Sequence, residues 1–176
     1  MEIVIDHEIT LKQISRNFAA ELQNLVKLNF KESLCYWCPD LIKTYSSIES
    51  TIAHIDDANK KFQEDGSPDF LIFQNKFLVG LISLSPVNTV NSSAEIGYWL
   101  GAEFQGKGII VRSFSAVLDY AKDTLKLKSV QLSTAVPNLR SQKLPLKFNF
   151  MKIKTIPKAE ILKDGVVDHF LWSIGL

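Results

Sequence analysis

Apolar and polar positions along this chain switch between a period of two and one of about 3.6 residues. Residues 3–14 (IVIDHEITLKQI) alternate loosely and predict an opening strand with a turn near Asp6-His7. Phe18, Leu22, Leu25 and Val26 then repeat on one helical face, and the Ser15 hydroxyl is placed to take an orphan N–H at its start. A longer helix is predicted from about Ser47 to Glu64. Ile48, Ile52, Ile55, Ala58 and Phe62 form its apolar stripe, Ser46 or Ser47 its cap, and Gly66-Ser67-Pro68 its stop. Residues 70–73, Asn75-Lys76 and residues 77–84 read as a hairpin, and residues 86–93 as a polar loop before a half-apolar strand, 95–100. Ile110, Phe114, Val117, Leu118, Ala121 and Leu125 mark a further helix, 129–136 a strand that Pro137-Asn138 ends, and 139–148 a short helix despite Pro145. Residues 152–160 and 166–174 close the chain as a hairpin about Asp164-Gly165. Helices set between runs of strand predict a layered α/β or α+β sheet.

Composition narrows the class. The 176 residues are 46% hydrophobic and 22% charged, which suits one core, and no repeat, linker or low-complexity segment divides them; one domain over 1–176 is expected. The net charge is +1 with no basic block longer than a residue or two, so neither nucleic acid nor a membrane is an expected partner. No apolar run approaches the ~18 residues of a membrane span, and Met1 precedes Glu2 rather than a basic, apolar leader, so the cytoplasm is the expected compartment. Cys35 and Cys38 are too few for a disulfide framework. Their C-x-x-C spacing lacks the second ligand pair of a structural zinc site, and Pro39 follows where a thioredoxin-like pair would open a helix. No metal is expected. Tyr36 and Trp37, between the thiols, offer an apolar wall beside a site.

The densest chemistry lies in 94–113, AEIGYWLGAEFQGKGIIVRS. Two glycines, Gly106 and Gly108, precede a helix start, where peptide N–H groups lack partners and the helix dipole favours an anion. A nest of such groups holds phosphate oxygens without side chains. The spacing is neither the dinucleotide G-x-G-x-x-G nor the nucleotide P-loop G-x-x-x-x-G-K-[ST].

Gln105…Gly108…Ile110 resembles instead the Q/R-x-x-G-x-G/A pyrophosphate loop of the GNAT acetyltransferases. Three more segments match that superfamily in its order, and within it the RimJ/RimL type of ribosomal-protein N-acetyltransferase: Trp37-x-Pro39, NLRSQKLPLKFNF (138–150) and AEILKDGVVDHFLWSI (159–174). Asn149 stands where the family has Gly, and Val111 replaces a common Thr. The resemblance implies the GNAT fold: a mixed, mostly antiparallel seven-stranded sheet flanked by about four helices. Strand 95–100 would carry a β-bulge and splay from strand 129–136.

The resemblance also implies the reaction, transfer of acetyl from acetyl-CoA to a protein N-terminal α-amine by direct attack in a ternary complex. Gln105, Gly106, Lys107, Gly108, Ile109 and Ile110 would hold the pyrophosphate, with pantetheine pairing near Trp99 and Leu100 and bonded by Asn138. Glu160 matches the family's general base; Glu95, alternating with Gly97 and Trp99, is the second candidate and lines the acceptor side with Trp37. Other branches place an acidic Tyr where this chain has Pro145, and Ser141 matches the serine that protonates the leaving sulfur in the RimL type. His169 beside Asp168 is a weak dyad, because adjacent strand residues point to opposite faces. An α-amine (pKa near 7.7–8.0) is easier to deprotonate than lysine (near 10.4) by ~3.5 kcal/mol, which favours an N-terminus. The alternatives are a small amine such as a polyamine, amino acid or antibiotic, or a silent acyl-CoA-binding scaffold. A monomer or homodimer is expected.

Overall fold

The opening alternation yields two strands, β1 (Glu2–Val4) and β2 (Ile9–Gln13), rather than one. Asp6 Oδ1 accepts the N–H groups of Glu8 and Ile9, each at 2.8 Å, and folds the chain back between them. The sheet of this computed structural model therefore has eight strands where seven are expected. The structure describes the backbone of residues 1–176 and every side chain but those of Glu32 and Ser33.

Helices α1 (Ala19–Asn29), α2 (Cys35–Trp37), α3 (Leu41–Thr44) and α4 (Ile48–Asp65) follow. Ser15 precedes a single helical turn, Arg16–Phe18, but its hydroxyl makes no cap bond, contrary to expectation. Ser47 does cap α4: its Oγ accepts the Ser50 N–H at 3.1 Å while Ser50 Oγ accepts the Ser47 N–H. Such a cap contributes about 1 kcal/mol. Gly66, at φ +79°, ends the helix in the left-handed conformation that favours glycine.

β3 (Asp69–Gln74) and β4 (Phe77–Asn88) meet at Asn75 and Lys76, both at positive φ, as a two-residue hairpin turn requires. β4 runs through the expected polar loop before the chain enters β5 (Ser93–Leu100). Then come α5 (Ile109–Asp123), β6 (Ser129–Ala135), α6 (Leu139–Lys147), β7 (Met151–Leu162) and β8 (Gly165–Gly175). The strand order is β1-β2-β3-β4-β5-β6-β8-β7, and β5–β6 is the one parallel contact.

Alternating strand side chains fill two cores. Ile9, Leu11, Phe70, Ile72 and Ile96 pack with Phe114 and Val117 of α5 on one face. Leu71, Phe73, Leu81 and Trp99 pack with Leu22, Val26 and Ile55 of α1 and α4 on the other. Phe114 is fully buried, and truncating such a side chain costs ~3–5 kcal/mol.

The sheet opens between β5 and β6. They pair only from Ser93/Ser129 to Glu95/Gln131, and beyond that point the expected splay separates them. The bulge beside it lies on the neighbouring strand, a correction: β4 spends three steps from Leu84 to Val87 while β5 takes two from Ile96 to Ala94. Pro86, which has no N–H to give a ladder, sits in that bulge.

Candidate active site

The backbone of β5 sets one wall of the opening. Gly101 N–H donates to Val79 O at 2.9 Å, so the odd residues of β5 bond to β4 and Trp99 spends both backbone groups on Leu81. Tyr98 and Leu100 turn theirs toward the gap. Leu100 thus stands where pantetheine pairing is expected, whereas Trp99 is buried with its backbone facing away, and Tyr98 takes its place.

Below β5, Gly106 (φ +80°) and Gly108 (φ +74°) shape the loop into α5. A Cβ on Gly108 would meet nothing within 4 Å, so the space beside it is open to a ligand, and its φ of +74° is what favours glycine there. Gly108 caps α5 with no side-chain bond, which leaves the N–H groups of Ile109, Ile110 and Val111 for an anion. These residues fit a pyrophosphate. Gln105 braces the loop: its Nε2 donates to Leu100 O at 3.0 Å and its Oε1 accepts from Arg140 Nη1 at 2.6 Å. Arg140, a cation beside the loop, is a residue the sequence reading missed, although it lies inside the NLRS segment. Lys107 Nζ lies 5.7 Å from the Phe104 ring centroid. Asn29, buried in α1, holds the loop's entry through Oδ1, which accepts the Ala102 N–H at 2.6 Å.

Asn138 caps α6 by accepting the Ser141 N–H at 3.0 Å, which presents the Ser141 hydroxyl to the opening. That hydroxyl lies 2.9 Å from Tyr98 Oη. Burial pushes the Tyr98 phenol above its usual value, and the Ser141 contact opposes the shift. Tyr98 lies far in sequence from the late position of the acidic tyrosine in other branches, because β5 supplies it from the opposite wall.

Glu160 owes its place to a distortion of the last hairpin. From Ile156 to Glu160, β7 advances four residues while β8 retreats only two, from His169 to Val167. Pro157, Lys158 (φ +53°) and Ala159 make this bulge, and Asp168 Oδ1 pins it by accepting the Lys158 N–H at 2.8 Å. The shift sets Glu160 opposite Val167 rather than Gly165, two residues nearer His169 on the same face: Oε2 lies 3.0 Å from His169 Nε2, and His169 Nδ1 lies 2.9 Å from Ser133 Oγ. Asp168 and His169 thus form no dyad. One holds the backbone of the bulge and the other holds the Glu160 side chain.

A cavity of about 250 Å³ lies in the opening, lined by Ser83, Ser85, Glu95, Ile96, Gly97, Tyr98, Leu132, Ser133 and Ser141; Glu160 and His169 are not among its lining residues. Glu95 opens into it. Desolvation pushes its carboxyl above the usual range, and nearby His169 opposes the shift. Trp37 packs edge-on against Tyr36, with ring centroids 4.5 Å apart. A hydrogen bond to Asp164 raises the Tyr36 phenol, so α2 reaches the β7–β8 hairpin. Burial, with Glu160 nearby, pushes the Cys38 thiol up to about 11. The C-x-x-C segment therefore lies close to Glu160 and Asp164, and Cys38 holds its proton at neutral pH. Among the described residues no His, Cys, Asp and Glu side chains group as a metal site, and no helix is long and apolar enough to cross a membrane.

A parallel strand pair that parts beside a glycine cradle, with hydroxyl and carboxylate groups about the opening, describes an acyl-CoA transferase. The family model for the acetyltransferase (GNAT) domain matches residues 14–151, and the chain belongs to that family. It is an acetyl-CoA-dependent N-acetyltransferase with the GNAT fold. The ribosomal-protein-serine acetyltransferase of Escherichia coli (strain K12) is 26% identical over 175 residues, 97% of this chain and 94% of that protein. The spermidine N(1)-acetyltransferase of Vibrio cholerae is 26% identical over 135 residues, 76% of this chain and 73% of that protein. The structure of RimL, a ribosomal L7/L12 alpha-N-protein acetyltransferase in complex with coenzyme A, superposes with a TM-score of 0.92 at 24% identity, covering 100% of this chain and 98% of that one.

Proposed function

We propose that this acetyltransferase acts on the α-amine of a protein N-terminus, in the cytoplasm, by direct attack within a ternary complex. The observation that carries the reading is the position of Glu160. It stands on the edge strand β7 with Oε2 on His169, and its other oxygen has no hydrogen-bond partner among the described residues, which leaves it for an amine that arrives at the end of a chain. Two relatives act, by their names, on ribosomal proteins at a serine or at an α-amine.

Bound acetyl-CoA supplies the acyl group as an activated thioester. Gly106, Gly108 and the first N–H groups of α5 hold its phosphates, and the outward amides of Tyr98 and Leu100 line the path of its arm. Glu160 accepts the proton of the attacking amine as the C–N bond forms. An amide of β5 steadies the negative charge on the carbonyl oxygen, an effect of about 3 kcal/mol in such sites. Ser141, backed by Tyr98, donates a proton to the sulfur as the C–S bond breaks. Glu95 is the second candidate base, because it lines the cavity and its raised carboxyl suits proton abstraction.

Free-thiol release from acetyl-CoA tests the acceptor class. Peptides with a free N-terminus, the same peptides blocked there but carrying an internal lysine, and spermidine are compared. Release with the first set alone is the expected result. Turnover of spermidine with no turnover of any peptide would contradict the reading.

A further inference from the structure

Charge is divided unevenly along this chain. Residues 139–163 hold six lysines and Arg140 against a single carboxylate, Glu160, while the rest carries thirteen basic and eighteen acidic residues, a net charge of −5. No basic run is longer than a residue or two, so the asymmetry shows only over the whole stretch of α6 and β7. Lys152, Lys154, Lys158 and Lys163 are all exposed along β7 and its turn, and none has a carboxylate within 4.0 Å among the described residues. The lysines that do pair, Lys43, Lys60 and Lys61, sit on α3 and α4.

β7 is also the outer strand of the sheet, bonded only to β8. Its outward N–H and C=O groups can take an extended chain as a further strand, a recurring mode of peptide recognition. Glu160 lies on this same strand, six residues from Lys154. At ~3.3 Å per residue, an amine at Glu160 leaves the next six or so residues of its chain beside Lys158 and Lys154.

We infer that β7 is the docking strand for the acceptor, and that the acceptor is a polypeptide with carboxylates within about its first six residues. The inference rests on the α-amine reading above and names the substrate class of that site. Charge complementarity selects the occupant: an unpaired lysine row beside the reacting carboxylate attracts an acidic segment and repels a polycation. A single-stranded nucleic acid would need aromatic platforms as well, whereas the large apolar side chains exposed on β7, Met151, Ile153 and Ile161, are aliphatic. Edge lysines also guard sheets against edge-to-edge pairing, a role that implies no preference among acceptors.

Three peptides with the same N-terminal serine and acidic, neutral or basic residues at positions three to six separate these roles. With wild-type enzyme, kcat/KM should be highest for the acidic peptide, by about tenfold over the neutral one, and the gap should shrink as salt is raised. K154E/K158E, two exposed side-chain changes that keep the backbone N–H of residue 158 on Asp168, should invert the order of acidic and basic peptides while calorimetric CoA affinity stays as in wild type. Equal rates for the three peptides, or an order that K154E/K158E leaves intact, would overturn the inference while preserving α-amine transfer. So would suppression of acidic-peptide turnover by a 20-nucleotide RNA that loses its effect in K154E/K158E, or a wild-type dimer that K154E/K158E dissociates. If no peptide of any charge is acetylated while CoA still binds, the α-amine reading itself fails.

Discussion

Nε2 of His169 lies 3.0 Å from Oε2 of Glu160, and Nδ1 on the other side of the ring lies 2.9 Å from the Ser133 hydroxyl. A carboxylate oxygen accepts, so Nε2 is the donor to Glu160. On the proposed assignment of Glu160 as base, His169 is a positioning residue that holds one Glu160 oxygen and leaves the other for the acceptor. His169→Ala should lower kcat by about tenfold to a hundredfold, the range for losing an orienting partner, with CoA affinity unchanged. His169→Gln, which keeps an N–H donor, should restore part of the loss. A stopped assay of kcat and KM on both variants checks this; equal damage in the two, or a loss confined to CoA binding, would contradict it.

Ser141 and Tyr98 should behave as one unit, because their hydroxyls lie 2.9 Å apart on opposite walls of the cavity. Ser141→Ala should cost less than losing the base, since water or the sulfur's own acidity, with a thiol pKa of ~8.5, partly substitutes. Tyr98→Phe in that background should add little. Additive losses in the four-member cycle would show that the two act separately.

How far the chain is legible follows from which interactions are local. The α4 cap at Ser47, its stop at Gly66 and the hairpin turn at Asn75-Lys76 all read correctly, because each is decided by a few adjacent residues. The passage of β4 through Pro86 does not, since neighbouring strands hold it in the sheet despite its polar composition. Glu160 and Ser141 are named in the sequence by resemblance alone. Their partners His169, Ser133 and Tyr98 arrive from other strands, and Glu160 comes within reach of His169 through the bulge at 157–159, whose two extra residues shift the register in a way local patterning does not show. Trp99 errs for a related reason: side-chain alternation is visible in sequence, but the direction of a backbone amide depends on which partner strand it bonds.

Backbone, not the lysine, should dominate CoA affinity at 105–110. Gly108 sits at φ +74° with open space on its Cβ side, so Gly108→Val both strains the turn and fills the phosphate cradle. Lys107→Ala should remove only a modest, salt-sensitive part of affinity. Calorimetric titration with CoA, alongside thermal melts to confirm folding, decides between them. Equal losses, or a larger one for Lys107, would contradict the nest.

Cys38 should be inert at neutral pH. Its thiol is pushed up to about 11, so the thiolate appears only as pH climbs toward that value. Iodoacetamide labelling followed by mass spectrometry should be slow at Cys38 near pH 7.5 and rise about tenfold per pH unit. Replacing Cys35 and Cys38 with Ser should keep activity within a few-fold. Fast labelling of Cys38 at neutral pH, or stoichiometric zinc in the purified protein, would contradict this.

The pH dependence of kcat/KM for Glu160→Gln against wild type, on a peptide with a free N-terminal serine, tests the account most directly. Near neutrality the variant should lose ~10²–10⁴ in rate, the contribution of a general base, with CoA affinity unchanged. Above about pH 8 the α-amine, with a pKa near 7.7–8.0, loses its proton unaided, and Glu160→Gln should recover part of its rate while wild type levels off. A Glu160→Gln enzyme within a few-fold of wild type at neutral pH, beside an inactive Glu95→Gln, would place the base on β5 and contradict the assignment.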